Sequence, residues 1–166
     1  MQASPHDKLT DRATSELACR PWEHSGLGAG QMISHSGRYG VSLRTPWMAR
    51  VMVRHLLTEW RATAELIGVA ELLASEIATN AVCFAPPPAR AGYPPYITLG
   101  CWYVPGLVVI EVSDENEKPP EMQVPGEESE GGRGLLLIEA LSREWSYYYP
   151  RRGWKTVYCV IGERIA

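Results

Sequence analysis

The sequence lacks any pairing of its cysteines. Cys19, Cys83, Cys101 and Cys159 are scattered, with no Cys-x-x-Cys, no Cys-x-x-x-Cys and no neighbouring histidine, which argues against both a zinc site and a disulfide framework. Half of them lie inside apolar runs and read as buried thiols of a reducing compartment. A secretory signal is missing as well, since the first residues offer neither a basic start nor the roughly 7–15 apolar residues that such a signal carries. No run approaches the ~20 apolar residues of a membrane span. The expectation is a soluble, cytoplasmic protein with no membrane partner. Sixteen basic against nineteen acidic residues leave a net charge of -3, and no Lys/Arg cluster forms a phosphate-tracking stripe, so nucleic acid is not expected as a partner. The four histidines suggest neither a catalytic triad nor a phospho-acceptor: His6, His24 and His35 lie in the first stretch of chain, and His55 adjoins an apolar stripe as a half-buried packing residue.

What is present fits one domain. The chain has 166 residues, 45% hydrophobic, 9% aromatic and 21% charged, against roughly 150 residues for a typical domain. Residues 1–37, with Gly-Leu-Gly-Ala-Gly at 26–30, show no sustained period and read as a flexible tail. The folded domain is assigned to 38–166. Arg38–Arg44 suits a short edge strand. Thr45-Pro46 then opens a helix, with Thr45 as N-cap and Pro46 at the first helical position. Ala49, Met52, Val53, Leu56, Leu57 and Trp60 recur with helical spacing, and Arg50, Arg54 and Arg61 fall on the other side. A second helix runs from about Leu66 to Phe84 and must end at Pro86-Pro87-Pro88.

Two hairpins follow from the apolar runs further on. Tyr96–Tyr103 and Leu107–Ser113 are joined by Val104-Pro105-Gly106, and Trp145–Tyr149 and Trp154–Ile161 by Pro150-Arg151-Arg152-Gly153. Alternating aromatics of the second hairpin read as cross-strand packing. Between the hairpins, residues 114–130 hold seven acidic residues and one lysine, a local charge of -6, and read as a solvated, mobile loop. Gly131-Gly132-Arg133-Gly134 then opens a short helix over Leu135–Ser142. Hairpins imply a mixed, largely antiparallel sheet, and three helices cover one face of it comfortably. The fold class is an α/β two-layer sandwich.

Three features carry chemistry. On the second helix Val69, Leu72, Leu73, Ile77 and Phe84 form one apolar arc, and Glu76 and Asn80 fall inside it, stacked one turn apart. A carboxylate and an amide on a core-facing arc mean either a pocket beneath the helix or a position at the core edge with backbone partners. Gly131-Gly132-Arg133-Gly134 leads into a helix N-terminus, where backbone N–H groups can approach an anion and Arg133 adds a cation. Asp114 stands where a strand opens into a loop, as pocket residues often do.

In this order the chain resembles the histidine-kinase-like ATPases of the GHKL superfamily, and within it the short bacterial anti-sigma-factor serine kinases. Ser75–Val82 resembles the N box, Val112-Ser113-Asp114 the first glycine box, and Gly132-Arg133-Gly134-Leu135 the second. The resemblance implies a Bergerat fold in which ATP lies between the N-box helix and the sheet, under a mobile lid. Carried over by motif, Asn80 would coordinate Mg²⁺, Glu76 would be the general base and Asp114 would accept from the adenine amino group. Gly132 and Gly134 would present N–H groups to the phosphates, with Arg133 a further phosphate contact. The implied function is phosphorylation of an antagonist protein of anti-anti-sigma type and binding of a sigma factor, in a chain whose relatives often form homodimers. The alternative is a non-catalytic pseudokinase serving as a protein-binding module. Departures from the pattern support that alternative: Asp114-Glu115-Asn116-Glu117-Lys118 lacks the family's glycines, Asn116 being able to take a left-handed turn in their place, and the acidic loop would lie beside a triphosphate.

Overall fold

The computed structural model describes residues 20–24, 32–88, 92–120 and 133–162. Five strands and three helices are present among these: β1 (Ile33–Gly40), α1 (Thr45–Glu59), α2 (Ala64–Cys83), β2 (Tyr96–Val104), β3 (Leu107–Asp114), α3 (Arg133–Leu141), β4 (Glu144–Arg151) and β5 (Trp154–Gly162). They form one open sheet in the order β1-β2-β3-β5-β4, and every neighbouring pair is antiparallel. The helices cover one face, giving the two-layer α/β sandwich expected from the hairpin pattern. Both hairpin turns hold a glycine with φ of 82°, Gly106 and Gly153, a backbone region that side chains avoid. Around Pro150, which has no N–H for the ladder, the β4–β5 register shifts between Tyr148 and Arg151.

The helix side of the sheet is apolar. Ile97, Leu99 and Cys101 of β2, Val108, Ile110 and Val112 of β3, and Val157, Cys159 and Ile161 of β5 meet Leu73, Ile77 and Ile138 in one cluster. Burial pushes the Cys101 and Cys159 thiols up to about 12, so both are inert packing groups. Cys83, by contrast, is exposed.

Several local expectations are corrected. The edge strand is Ile33–Gly40 and not Arg38–Arg44, so residues 33–37 belong to the sheet rather than to a tail. A 3-10 turn at Pro21–His24, with Trp22 fully buried, also falls within that stretch. Thr45 is not the N-cap of α1, which follows Arg44 without a side-chain cap. Its buried hydroxyl instead donates to the Gly40 carbonyl at 2.6 Å and fixes the turn out of β1. His55 is exposed, not half-buried. The acidic lid lies mostly outside the described residues, as does His6.

α2 is the organising element. Its buried residues are Leu66, Ala70, Glu71, Leu73, Ala74, Ile77, Ala78 and Ala81, a face turned about a quarter of the way round from the arc that the large apolar residues alone suggest. Four of these eight are alanines, while Val69 and Leu72 are only half-buried and Phe84 is 59% exposed. By length and composition α2 is apolar enough to cross a membrane, contrary to the reading that no such run exists. Its place on the sheet is that of a core helix. Toward α1, buried Glu71 accepts from Arg54 through two of the three guanidinium nitrogens, Nε and Nη2, the second at 2.9 Å. Toward α3, it presents Glu76 and Asn80.

Candidate functional site

The rotation of α2 settles where its two polar residues stand. Glu76 and Asn80 are both half-buried, at the edge of the buried face and beside α3 rather than under the helix. The close approach of α3 depends on a missing side chain. A Cβ at Gly134 would lie 2.9 Å from Glu76 Oε2, 3.5 Å from Glu76 Cβ and 3.6 Å from Asn80 Nδ2. Three residues from two separate motifs thus converge, one supplying backbone and two supplying oxygen-bearing side chains. Gly134 is the second residue of α3, so the N–H groups of that helix's first turn open at the same point. Leu135 and Ile138 are buried and hold α3 against the core.

Asp114 ends β3 on the helix side of the sheet and is 3% exposed. Its Oδ1 accepts the Asn116 N–H at 2.8 Å and lies 3.5 Å from the Lys155 Nζ, from the paired position on β5. Burial pushes the Asp114 carboxyl above the ordinary aspartate range, and the Lys155 ammonium opposes that shift without cancelling it. Lys155 is itself 6% exposed and donates to the Lys118 carbonyl at 3.0 Å.

The turn after Asp114 is built without glycine. Asn116 does not take a left-handed conformation, since the one non-glycine residue with positive φ among the described residues is Arg61. Its side chain holds the turn instead. The Asn116 carbonyl oxygen accepts the Lys118 N–H at 3.0 Å, and its amide donates to the Phe84 carbonyl at 3.0 Å. That second bond ties the end of β3 to the end of α2, one turn beyond Asn80. Lys155 and this use of Asn116 escaped the sequence reading. The visible signal for Lys155 was a lysine at a core-facing position of an otherwise apolar and aromatic strand.

The structure therefore brings together Glu76, Asn80 and Gly134, and anchors Asp114 to the same helix through Asn116. Arg133 begins α3, and Gly132 lies outside the described residues. A cleft between Arg38, Tyr93, Tyr96 and Glu115 holds none of Glu76, Asn80, Asp114 or Gly134. Chemically, the converging set can offer a carboxylate as proton acceptor, an amide oxygen as a hard ligand for a divalent cation, and backbone N–H groups for an anion.

Comparison with known proteins bears on the family and the fold. The histidine kinase-like ATPase domain family matches residues 43–160, from the turn before α1 into β5. Among solved structures the chain is similar to that of the RsbU and RsbW domains of Rv1364c from Mycobacterium tuberculosis. The two share 18% identity and a TM-score of 0.53, with 78% of this chain and 32% of that chain covered. This chain thus spans about a third of the length of its structural neighbour, and the likeness is one of fold. No curated protein matches it in sequence.

Proposed function

The chain belongs to the histidine kinase-like ATPase family, and from that premise we propose that it is an ATP-binding regulatory protein of the anti-sigma-factor serine/threonine kinase type. The observation that carries the reading is the seating of Gly134 against Glu76 and Asn80. Chain positions more than fifty residues apart leave out a side chain, and supply a carboxylate and an amide, at one point. A structural packing glycine would more simply face an apolar side chain.

The residues fit the nucleotide that the family implies. The Asn80 amide oxygen would hold Mg²⁺, which when bound supplies charge neutralisation to the phosphates. The first turn of α3 would donate N–H groups to phosphate oxygens, with Gly134 allowing the approach and Arg133 adding a cation. Glu76 would accept the proton of an attacking serine or threonine hydroxyl. Asp114 would accept from the adenine amino group through Oδ2, since its contacts with Asn116 and Lys155, among the described residues, fall on Oδ1. The acceptor would be a small antagonist protein of anti-anti-sigma type, and a sigma factor the regulated partner. The resemblance to anti-sigma-factor kinases and the likeness to a structure that includes an RsbW domain support this choice.

A second reading, a non-catalytic binding module, is favoured by the Lys155 contact on Asp114 and by the glycine-free turn. Calorimetric titration with ATP, with and without Mg²⁺, separates the two. Saturable Mg²⁺-dependent heat that Asn80→Ala abolishes is the expected result, followed by phosphotransfer that Glu76→Gln removes. Absence of both heat and thermal shift at millimolar ATP would overturn the kinase reading and leave the binding module.

A further inference from the structure

The other face of the sheet, away from the helices, has its own organised centre. Glu111 stands in the middle of β3, a central strand, with 5% exposure. Nothing in its sequence neighbourhood, Leu107-Val108-Val109-Ile110-Glu111-Val112, provides a partner for a carboxylate. Its donors are the Tyr148 hydroxyl at 3.0 Å, the Arg20 Nε at 3.2 Å and the Trp22 indole N–H. Two of the three are Arg20, just before the turn at Pro21–His24, and Trp22 within it, about ninety residues earlier in the chain.

The pocket around Glu111 has a built shape. Gly100 is the register partner of Glu111 on β2, and the Trp102 ring occupies the volume a Cβ at Gly100 would need. Trp102 forms one wall, and Val109, Tyr158 and Val160 line the rest. Into this enters the Trp22 ring, 5.0 Å from that of Trp102, and the Arg20 guanidinium lies 4.7 Å over the Trp102 ring while bridging to Glu111. The cluster is separate from the main core. A buried carboxylate that accepts a guanidinium and an indole N–H, within aromatic walls, combines charge complementarity with an apolar anchor, as peptide-recognition sites do.

We propose that this sheet face, covered in the structure by the segment around Trp22, is a peptide-binding site for an Arg-Pro-Trp segment, and that Arg20-Pro21-Trp22 of this chain fills it as a displaceable internal ligand. The site is independent of the nucleotide reading, which concerns the opposite face. An external segment of the same chemistry would compete for it with an internal ligand whose effective concentration is set by its tether.

The test uses the full chain and a synthetic peptide of residues 18–25 carrying Cys19→Ser. Trp22→Ala removes the apolar anchor of the internal segment and leaves Arg20 alone to compete, so the variant should bind the peptide with saturable heat. If the internal segment is docked in at least nine molecules of ten, its affinity should exceed that of the wild-type chain by about tenfold or more. Glu111→Gln added to Trp22→Ala, or Trp22→Ala in the peptide, should abolish binding. Equal affinity in wild type and Trp22→Ala, or no binding by a cooperatively melting variant, would overturn the proposal. Hydrogen exchange on the wild-type chain gives an independent check. The Trp22 indole N–H should exchange faster than the Ile110 amide at the sheet centre, because a displaceable segment opens without global unfolding. Matched rates, or a Trp22→Ala chain that does not fold, would make the segment an integral part of the fold and refute the idea.

Discussion

Replacing Gly134 by alanine puts one methyl group where the two motifs meet. The new Cβ would stand 2.9 Å from Glu76 Oε2, while its distances of 3.5 Å to Glu76 Cβ and 3.6 Å to Asn80 Nδ2 are ordinary contacts. The carboxylate must therefore withdraw by about 0.5 Å to restore normal van der Waals separation. Glu76 is half-buried and the oxygen is the far end of its side chain, so that retreat is easy. Gly134 is not among the glycines with positive φ, and alanine in a helix gains up to ~1 kcal/mol over glycine. Stability should be unchanged or improved, by at most about 2–4 °C in melting temperature. Function should suffer, because a 1 Å misplacement of a reacting group can lower a rate by about a hundredfold, and half of that displacement corresponds to about tenfold. The methyl also obstructs the approach of phosphate to the α3 backbone, so ATP affinity should fall by about tenfold, or ~1.4 kcal/mol. Calorimetry with Mg²⁺·ATP and a thermal melt on the same sample read both effects. Wild-type ATP binding in a well-folded variant would refute a phosphate role for Gly134. Destabilisation by several kcal/mol would show it to be a packing glycine instead.

Two further outcomes bear on the sheet face away from the helices. Burial holds the Glu111 carboxyl above the ordinary glutamate range, with Trp22, Arg20 and Tyr148 opposing, so the folded chain keeps that proton longer than the unfolded one. The resulting stability is complete below the ordinary glutamate range and falls as pH rises through the raised value. Asp114, also shifted upward, adds in the same sense. Urea melts from about pH 4 to about pH 7 should show the decline, and Glu111→Gln should flatten it in part; an unaltered slope in the variant would contradict the assignment. Gly100→Ala drives a Cβ against the edge of the Trp102 ring and should destabilise by about 1–3 kcal/mol as that ring is displaced, with a change in tryptophan fluorescence. A variant as stable as the parent, with an unchanged spectrum, would contradict the stacking of Trp102 on Gly100.

The hairpins were legible because their signals are local: alternating β-rich runs end at Pro105-Gly106 and Arg152-Gly153, and the chain has few other ways to arrange them. The end of α2 at the proline run was equally clear. The orientation of α2 was not, because weighting by large side chains favours Val69, Leu72 and Phe84, whereas half of the buried face consists of Ala70, Ala74, Ala78 and Ala81. Small residues carry little hydrophobic signal and yet decide how closely two elements approach. Glu76 and Asn80 were singled out as polar residues within an apolar arc, and the structure places them at the edge of the buried face, beside Gly134. Long-range pairs such as Asp114–Lys155 and Glu111–Trp22 leave no periodic trace, since the partner of a buried charge is set by topology.

Buried carboxylates on both sides of β3 expose a common logic. Asp114 on the helix face and Glu111 on the opposite face lie three residues apart, on opposite sides of one strand. Each is shifted upward by burial and each is compensated by a cation from a distant part of the chain, Lys155 for one and Arg20 for the other. Their compensation differs in kind. Lys155 sits on the neighbouring strand and cannot leave without breaking the β3–β5 ladder, whereas Arg20 and Trp22 are held to the sheet through side chains. Removing a fixed partner leaves a buried charge unpaired, but exchanging a docked segment for another of like chemistry does not. The same strand thus carries one carboxylate fixed within the fold and one whose partner can be replaced, and the second face is where a competing protein segment would find its complement.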